Sequence, residues 1–325
     1  DQKTSEFGYL YSVEDLVGAE GLTTNILPIA HGQNADLGPY SYGLRGGAIS
    51  LDLGVVISGN AYEGNNNQFW GHAVLPATGA AWNRTDTNFP QNVFAVSNDV
   101  SVHVVWDSAD FSHDSKYLYS NDYMWDIIPG ETERIWKWNV GDLSVDGLGL
   151  TSNAVYSTSV EGIWSVNVYN INGRDLIYYG GIEFAGAETN IIVCVFDTVD
   201  EIETVLLRFP NTAETNPLYG KGYYCEVLQN VKVSGVGTDR MHLYITYDDG
   251  TIMIYGLKPG GKVIGPKLRH FTAQDICDIL GVASLGNCRV FEVTNDERFA
   301  IFASHNQNRI HIIHSHPVET MLLLR

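Results

Sequence analysis

The residues of this chain with chemical promise are aromatic and scattered, and no short motif gathers them. It carries 7 Trp, 18 Tyr and 12 Phe. Most of these must fill a core, but Trp70, Trp125, Trp164, Tyr169, Tyr224 and Phe291 fall near expected strand ends and loops. An aromatic wall with a few polar groups suits an apolar small molecule or the face of a sugar ring. Asp107, at the end of an expected inner strand, together with His305 and Tyr123, would polarise a substrate there or assist a dehydration. A purely structural role for an inner-strand Asp is the alternative. The pairs Asp248/Asp249 and Asp296/Glu297 fall in turns, where Asp bonds local backbone. His311, His314 and His316 look like a metal cluster, yet on a strand 314 and 316 share a face and 311 takes the other. Rim histidines are the plainer reading, and no metal ligand set is assigned.

No Gly-x-Ser-x-Gly elbow, phosphate-binding Gly-Lys loop, dinucleotide fingerprint or zinc-spaced Cys/His set occurs. Common covalent and phosphoryl-transfer chemistries lose support, and no cofactor is expected.

What must position these side chains is a recurring unit. Within residues 109–140 a polar turn (Ser112, His113, Asp114, Ser115) precedes a strand over 116–120, and a second strand runs through Ile135, Trp136, Lys137 and Trp138. Turn formers between β-branched and aromatic runs are a hairpin signal. The unit returns at 170–174 before strands at 175–180 and 190–196, at 237–240 before 241–247 and 251–255, and at 295–298 before 299–304 and 309–314. Counted from His113, Ile171, Gly237 and Asn295, the offsets are 58, 66 and 58 residues. A poorer copy starts at Arg45-Gly46-Gly47 and predicts strands at 48–57 and 68–75.

A regular period in an all-strand sequence predicts radial repetition with four strands to a blade. The expected fold is all-β: one domain over 1–325, a single β-propeller of five or six four-stranded blades. Residues 318–324 would pair with a strand from the first thirty residues, closing the ring and removing exposed edges. Two stacked sheets are the competing architecture. The period exceeds the roughly 40–50 residues of compact blades, which puts the surplus in loops. Residues 93–110 read as strand, while 141–153, 212–222 and 257–267 read as linkers. One helix is predicted over 272–280, with Thr272 as its cap, Asp275 completing a capping box and Gly281 past its end.

The balance of 19 basic against 38 acidic residues, net −19, leaves no basic stripe to release counterions from nucleic acid and disfavours anionic membrane surfaces. No run approaches the roughly 20 apolar residues of a membrane span. Only 18% of residues are charged, so the surface is polar and uncharged, as is common in secreted proteins. Of the four cysteines, Cys277 and Cys288 flank a short Gly-containing loop and are expected to form a disulfide. Cys194 and Cys225 are either buried thiols or a link between blades. Asn83-Arg84-Thr85 is an N-glycosylation acceptor. Together these predict a secreted protein or one of the secretory lumen, with a cytosolic protein bearing free thiols as the alternative. The expected partner is a hydrophobic small molecule, with no nucleic acid and no membrane insertion.

The copies resemble propeller blades in general, without the Trp-Asp signature of WD repeats, since Asn139 follows Trp138. Sialidase boxes are missing. More loosely, the chain resembles the six-bladed gluconolactonase and strictosidine-synthase-like group, whose lactonases use a Glu/Asn/Asp set around a divalent cation; that set has no motif match here. In its acidic, secreted character without catalytic motifs the whole chain is similar to the fungal hetero-Diels–Alderases, which join a quinone methide to a humulene-type olefin in tropolonic sesquiterpenoids. That resemblance implies a pericyclic step with no covalent intermediate. It needs two partners held in near-attack orientation by an aromatic wall, with one or two hydrogen bonds to a polarised carbonyl. The expected function is a small-molecule enzyme of secondary metabolism of this cyclase type. The alternatives are a metal-dependent lactonase-like hydrolase and a non-catalytic glycan-binding propeller. Loops that diverge between copies favour one axial site over one site per blade.

Overall fold

The computed structural model describes residues 7–10, 30–33, 41–50, 55–62, 68–74, 92–97, 104–122, 132–144, 147–221, 227–304 and 309–314. The chain falls into two compact units, Asp1–Tyr123 with Ile135–Val155, and Met124–Arg134 with Tyr156–Arg325. Both are built from antiparallel meanders in which each strand pairs with the next in sequence, the blade unit of an all-β propeller.

In the first unit β1 (Phe7–Leu10) and β2 (Ala30–Gln33) form a two-stranded ribbon. A four-stranded sheet follows from β3 (Ser41–Ser50), β4 (Val55–Tyr62), β5 (Gln68–Val74) and β6 (Asn92–Ser97), then a second from β7 (Val104–Phe111), β8 (Tyr117–Asp122), β9 (Arg134–Ser144) and β10 (Gly147–Ser157). Trp136 and Trp138 project from one face of β9 and stack with ring centroids 5.5 Å apart, and the Trp138 indole donates to Ser120 Oγ at 3.0 Å.

The second unit holds a four-stranded sheet of β11 (Asn167–Ile171), β12 (Arg174–Ala185), β13 (Glu188–Asp197) and β14 (Ile202–Pro210). A second consists of β15 (Asn230–Ser234), β16 (Met241–Thr246), β17 (Ile252–Leu257) and β18 (Ile264–Phe271). After α1 (Ala273–Leu280), β19 (Cys288–Val293), β20 (Phe299–Ser304) and β21 (Arg309–His314) make a three-stranded sheet. β15 packs against both β11 and β19, so the first strands of successive sheets stand side by side. An apolar cluster that includes Tyr178, Ile191, Val193, Val231, Leu243 and Tyr247 fills the wedge between the first two sheets. Another, with Tyr244, Ile254, Ile276, Phe291 and Phe302, fills the next and seats α1.

Local chemistry explains the turns. Asn172 and Gly173, at φ 55° and 77°, make the two-residue loop between β11 and β12 that suits the twist of paired strands. The turns after β7 and β19 repeat one design. Ser112 and Thr294 each bond the strand that follows, Asp114 and Asp296 each accept from the amide two residues on, and Ser115 and Glu297 take the left-handed conformation. Burial pushes the Asp114 carboxyl up, but Lys116, Ser112 and the Lys116 amide outweigh it and lower its pKa to about 2. The helix has the expected ends: Thr272 and Asp275 form a reciprocal capping box, and Gly281 closes it at φ 66°.

Several expectations need correction. Among the described residues four sheets have the four strands of a complete blade, whereas β19–β21 has three and β1–β2 two, so five or six four-stranded blades are not met there. The segment 48–57 is not one strand but the end of β3 and the start of β4. Residues 141–153 are not a linker; β9 runs on to Ser144 and β10 begins at Gly147. Part of 257–267 likewise belongs to β18. β10 and β18 are edge strands, with side chains largely exposed over 151–157 and 266–270, so they need no apolar run. The Cys277–Cys288 disulfide is absent: both are free and buried. They lie in the apolar wedge as small hydrophobes, and burial, then Asp248, Asp249 and Cys277, push the Cys288 thiol up to about 12. Cys194 is also a buried free thiol. Cys225, Asn83 and residues 318–324 lie outside the described residues.

One buried carboxylate makes the second unit acid-sensitive. Asp197 is 2% exposed, takes Arg174 Nη1 at 2.6 Å and Lys262 Nζ on Oδ2, and accepts the amides of Val199 and Asp200 on Oδ1. Burial alone would raise its pKa, but Lys262, the two amides and Arg174 hold it well below the usual carboxylate range. A folded-state pKa below the unfolded value stabilises above the unfolded pKa, near 3.9. That contribution is lost as pH falls through the interval below it. Acid unfolding followed from about pH 5 to about pH 2 is therefore expected to be steeper for the native chain than for Asp197→Asn.

Candidate functional site

The seam between β15 and β19 carries several polar side chains shared between two sheets. Asn230, Lys232 and Ser234 alternate on one face of β15, while Val231 and Val233 turn into the opposite wedge. Each of these three side chains makes a tie across the seam. Asn230 donates to the Arg289 carbonyl at 3.2 Å, Lys232 pairs with Glu292, and Ser234 donates to Glu297 Oε1.

The two ends of the seam differ chemically. At the far end of β15, Ser234 Oγ, His242 Nδ1 at 2.5 Å and Tyr244 Oη at 2.9 Å all converge on Glu297 Oε1. Burial raises the Glu297 pKa, but His242, Ser234 and Tyr244 lower it further, so it stays ionised as a tie between sheets. Its oxygen is already engaged three times and has little to offer a substrate.

At the starting end the arrangement is open. Arg289 leaves β19 with its guanidinium carbon 5.8 Å from the centroid of the Trp164 ring. Its Nε lies 3.7 Å from Asp248 Oδ1, and the Arg289 side chain is 34% exposed against 10% for Asp248. Arg174 and Arg208 already hold carboxylates through their Nη atoms. The Nη atoms of Arg289 meet no acceptor among the described residues.

Three layers fix this geometry. The segment before β11 is tied down by Glu133, whose backbone exchanges hydrogen bonds with Thr158 and Val160 and whose carboxylate accepts the Ile163 amide at 2.9 Å. Glu161 pairs in both directions with Ile182 of β12. Ser165, next to Trp164, accepts the Val231 amide, and Asn167 donates to both Ser165 and the Val231 carbonyl. Asn230 does for β19 what Asn167 does for β15, holding the Arg289 carbonyl and Thr246 Oγ1. The Asp248 carbonyl takes the Cys288 amide at 2.6 Å. Indole, guanidinium and carboxylate thus sit on backbone locked from two sides. Together they set an aromatic ring beside a partly exposed guanidinium, suited to a planar, oxygen-polarised small molecule.

Of the residues expected from sequence, Trp164 lies in this site, half-buried against the core. Tyr169 is half-buried in β11, meets Tyr178 edge-on at 5.8 Å and packs against the same apolar cluster as Trp164. Phe291 is not part of an open wall: it is 1% exposed and packed between Tyr244 and Phe302. Asp107 lies in β7, the edge strand where its meander begins, and Trp70 in the interior strand β5. Tyr123, Trp125, Tyr224 and His305 lie outside the described residues. His311 is buried while His314 stacks on Phe299 at 4.8 Å, on the opposite face of β21 as expected; His316 lies outside the described residues. Arg289, Asp248 and Asn230 were missed as site residues. The signal available was an Asn at the start of successive first strands, Asn167 and Asn230.

No helix among the described residues is long and apolar enough to cross a membrane. No family model matches the chain, and no curated protein matches it. Among solved structures it is similar to the periplasmic gluconolactonase PpgL of Pseudomonas aeruginosa, at 13% identity and a TM-score of 0.50, over 92% of this chain and 86% of that one. A putative 6-phosphogluconolactonase from Bacteroides uniformis also matches, at 13% identity and a TM-score of 0.49, over 98% of this chain and 76% of that one. At such identity the likeness to PpgL shows a shared β-propeller fold alone, and nothing in the comparisons bears on the Diels–Alderases.

Proposed function

We propose that this chain is a small-molecule enzyme that orients its reactants beside Trp164 and Arg289, a cyclase of the hetero-Diels–Alder type. The observation that carries the reading is the guanidinium over the Trp164 ring with one third of its side chain exposed. A pericyclic step requires no nucleophile; it requires a flat wall and a donor on the carbonyl whose charge grows at the transition state. Asp107, His305 and Tyr123 would assist, and Trp70, Trp125 and Tyr224 would extend the wall. In this reading the protein is exported, carries a glycan at Asn83, has a ring closed by residues 318–324 and takes a hydrophobic small molecule as partner.

The test incubates the full chain with a quinone-methide precursor and a medium-ring olefin. One stereoisomer is expected, formed faster than without protein, with the rate lowered about 10²-fold by Trp164→Ala. A product mixture and rate equal to the protein-free reaction would overturn the reading. The fold shared with a gluconolactonase favours a second reading, a lactonase-like hydrolase. Hydrolysis of an aldonolactone that is lost to chelator and restored by a divalent cation would put it in place of the first.

A further inference from the structure

We infer that Arg289 forms an anion subsite, and that the natural ligand of this site carries a planar oxyanion: a carboxylate, or an enolate conjugated to an unsaturated frame. The inference rests on the reading above for the place of the site but adds the charge of what it binds. The chain carries 38 acidic residues against 19 basic, so its long-range field repels anions, and an anion site must be built locally. Arg289 is built in that way. Asp248 Oδ1 stands 3.7 Å from its Nε as an ion-pair partner, the Trp164 ring lies 5.8 Å from the guanidinium carbon, and the Nη atoms are left without an acceptor among the described residues.

A guanidinium can serve two carboxylates at once, as Arg174 does with Asp197 at 2.6 Å and Asp200 at 2.5 Å. Asp248 therefore orients Arg289 without exhausting it. Its backbone is held independently of its side chain, because Asn230 grips the Arg289 carbonyl. Truncating the side chain removes the donors while leaving β19 tied to β15. Two parallel N–H groups in a plane match a carboxylate or a delocalised enolate better than a single hydroxyl. Trp164, half-buried beside the guanidinium, gives a flat frame an aromatic partner.

The experiment titrates the full chain with benzoate and with benzamide, its neutral near-isostere, by calorimetry. Benzoate is expected to bind at one site with a Kd of about 1 mM or tighter, and benzamide about tenfold more weakly. Arg289→Gln should weaken benzoate about tenfold, and Arg289→Lys, which keeps charge without the fork, should fall between. Near-UV dichroism checks that both variants keep native packing. Equal binding of benzoate and benzamide, no binding of either, or unchanged benzoate binding in Arg289→Gln would overturn the inference. The two readings fail separately. Arg289-dependent benzoate binding without cycloaddition leaves the anion subsite standing and removes the proposed reaction. Cycloaddition that depends on Trp164 but not on Arg289 does the reverse.

Discussion

Gly181→Ala is expected to destabilise the second unit by about 3 kcal/mol and to disable the Trp164 site at the same time. A Cβ on Gly181 would meet the Glu161 carbonyl oxygen at 2.3 Å, Val160 Cγ1 at 2.7 Å and the Gly162 carbonyl oxygen at 3.0 Å. Two of the three are backbone atoms and cannot swing away as a side-chain tip would. Relief requires the segment around Glu161 to lift off β12, which strains both backbone hydrogen bonds between Glu161 and Ile182, each 2.8 Å. That segment leads directly into Ile163 and Trp164. The neighbouring residue makes the need for glycine two-sided, since a Cβ on Gly180 would meet Leu228 Cδ1 at 2.8 Å on the opposite face of β12. Gly173→Ala is the control. Its φ of 77° carries strain of about 1–2 kcal/mol, but nothing stands within 4 Å of the added methyl. Thermal unfolding should separate the two variants, and benzoate titration should show binding lost in Gly181→Ala alone. Equal stability losses in the two, with binding intact in both, would mean that the segment before Trp164 is not held by its contact with β12.

How much of this was legible beforehand follows the range of the interactions. The turn after β19 and the helix ends could be read because their hydrogen bonds close within five residues. Thr294, Asp296 and Arg298 satisfy one another, as do Thr272 and Asp275. The inner strands could be read because burial on both faces demands apolar runs such as Ile191–Phe196. Edge strands carry no such demand, which is why β10 and β18 passed for linkers. The Cys277–Cys288 spacing showed only that the two ends could meet; whether they bond depends on how α1 and β19 dock. The site was least legible. Trp164 and Asp248 come from two separate connections and Arg289 from β19, joined only when one sheet packs on the next, and no motif surrounds Arg289.

Phe291→Ala is expected to cost about 3–5 kcal/mol of stability and to leave benzoate affinity within about twofold. The residue lies two positions after Arg289, and simple strand alternation would put both in one wall, but β19 is bulged between Cys288 and Val290, which takes Arg289 out of that alternation. Burial sets Phe291 apart as well. Phe291 is 1% exposed, with ring centroids 5.9 Å from Tyr244 and 5.1 Å from Phe302, so it fills the wedge between the sheet of β15–β18 and that of β19–β21. Removing the ring leaves a cavity lined by Tyr244, Phe302 and Ile254 that the two sheets cannot collapse without shifting against each other. Arg289 is steadied by groups that Phe291 does not supply: Asp248 on Nε, Trp164 under the guanidinium, and Asn230 on the carbonyl. At a temperature where the variant remains folded, the anion subsite should therefore persist. Urea unfolding combined with calorimetry separates the roles. A variant of native stability that no longer binds would make Phe291 a wall residue after all, whereas a destabilised variant that still binds makes it the keystone between two sheets and leaves the recognition to Trp164 and Arg289.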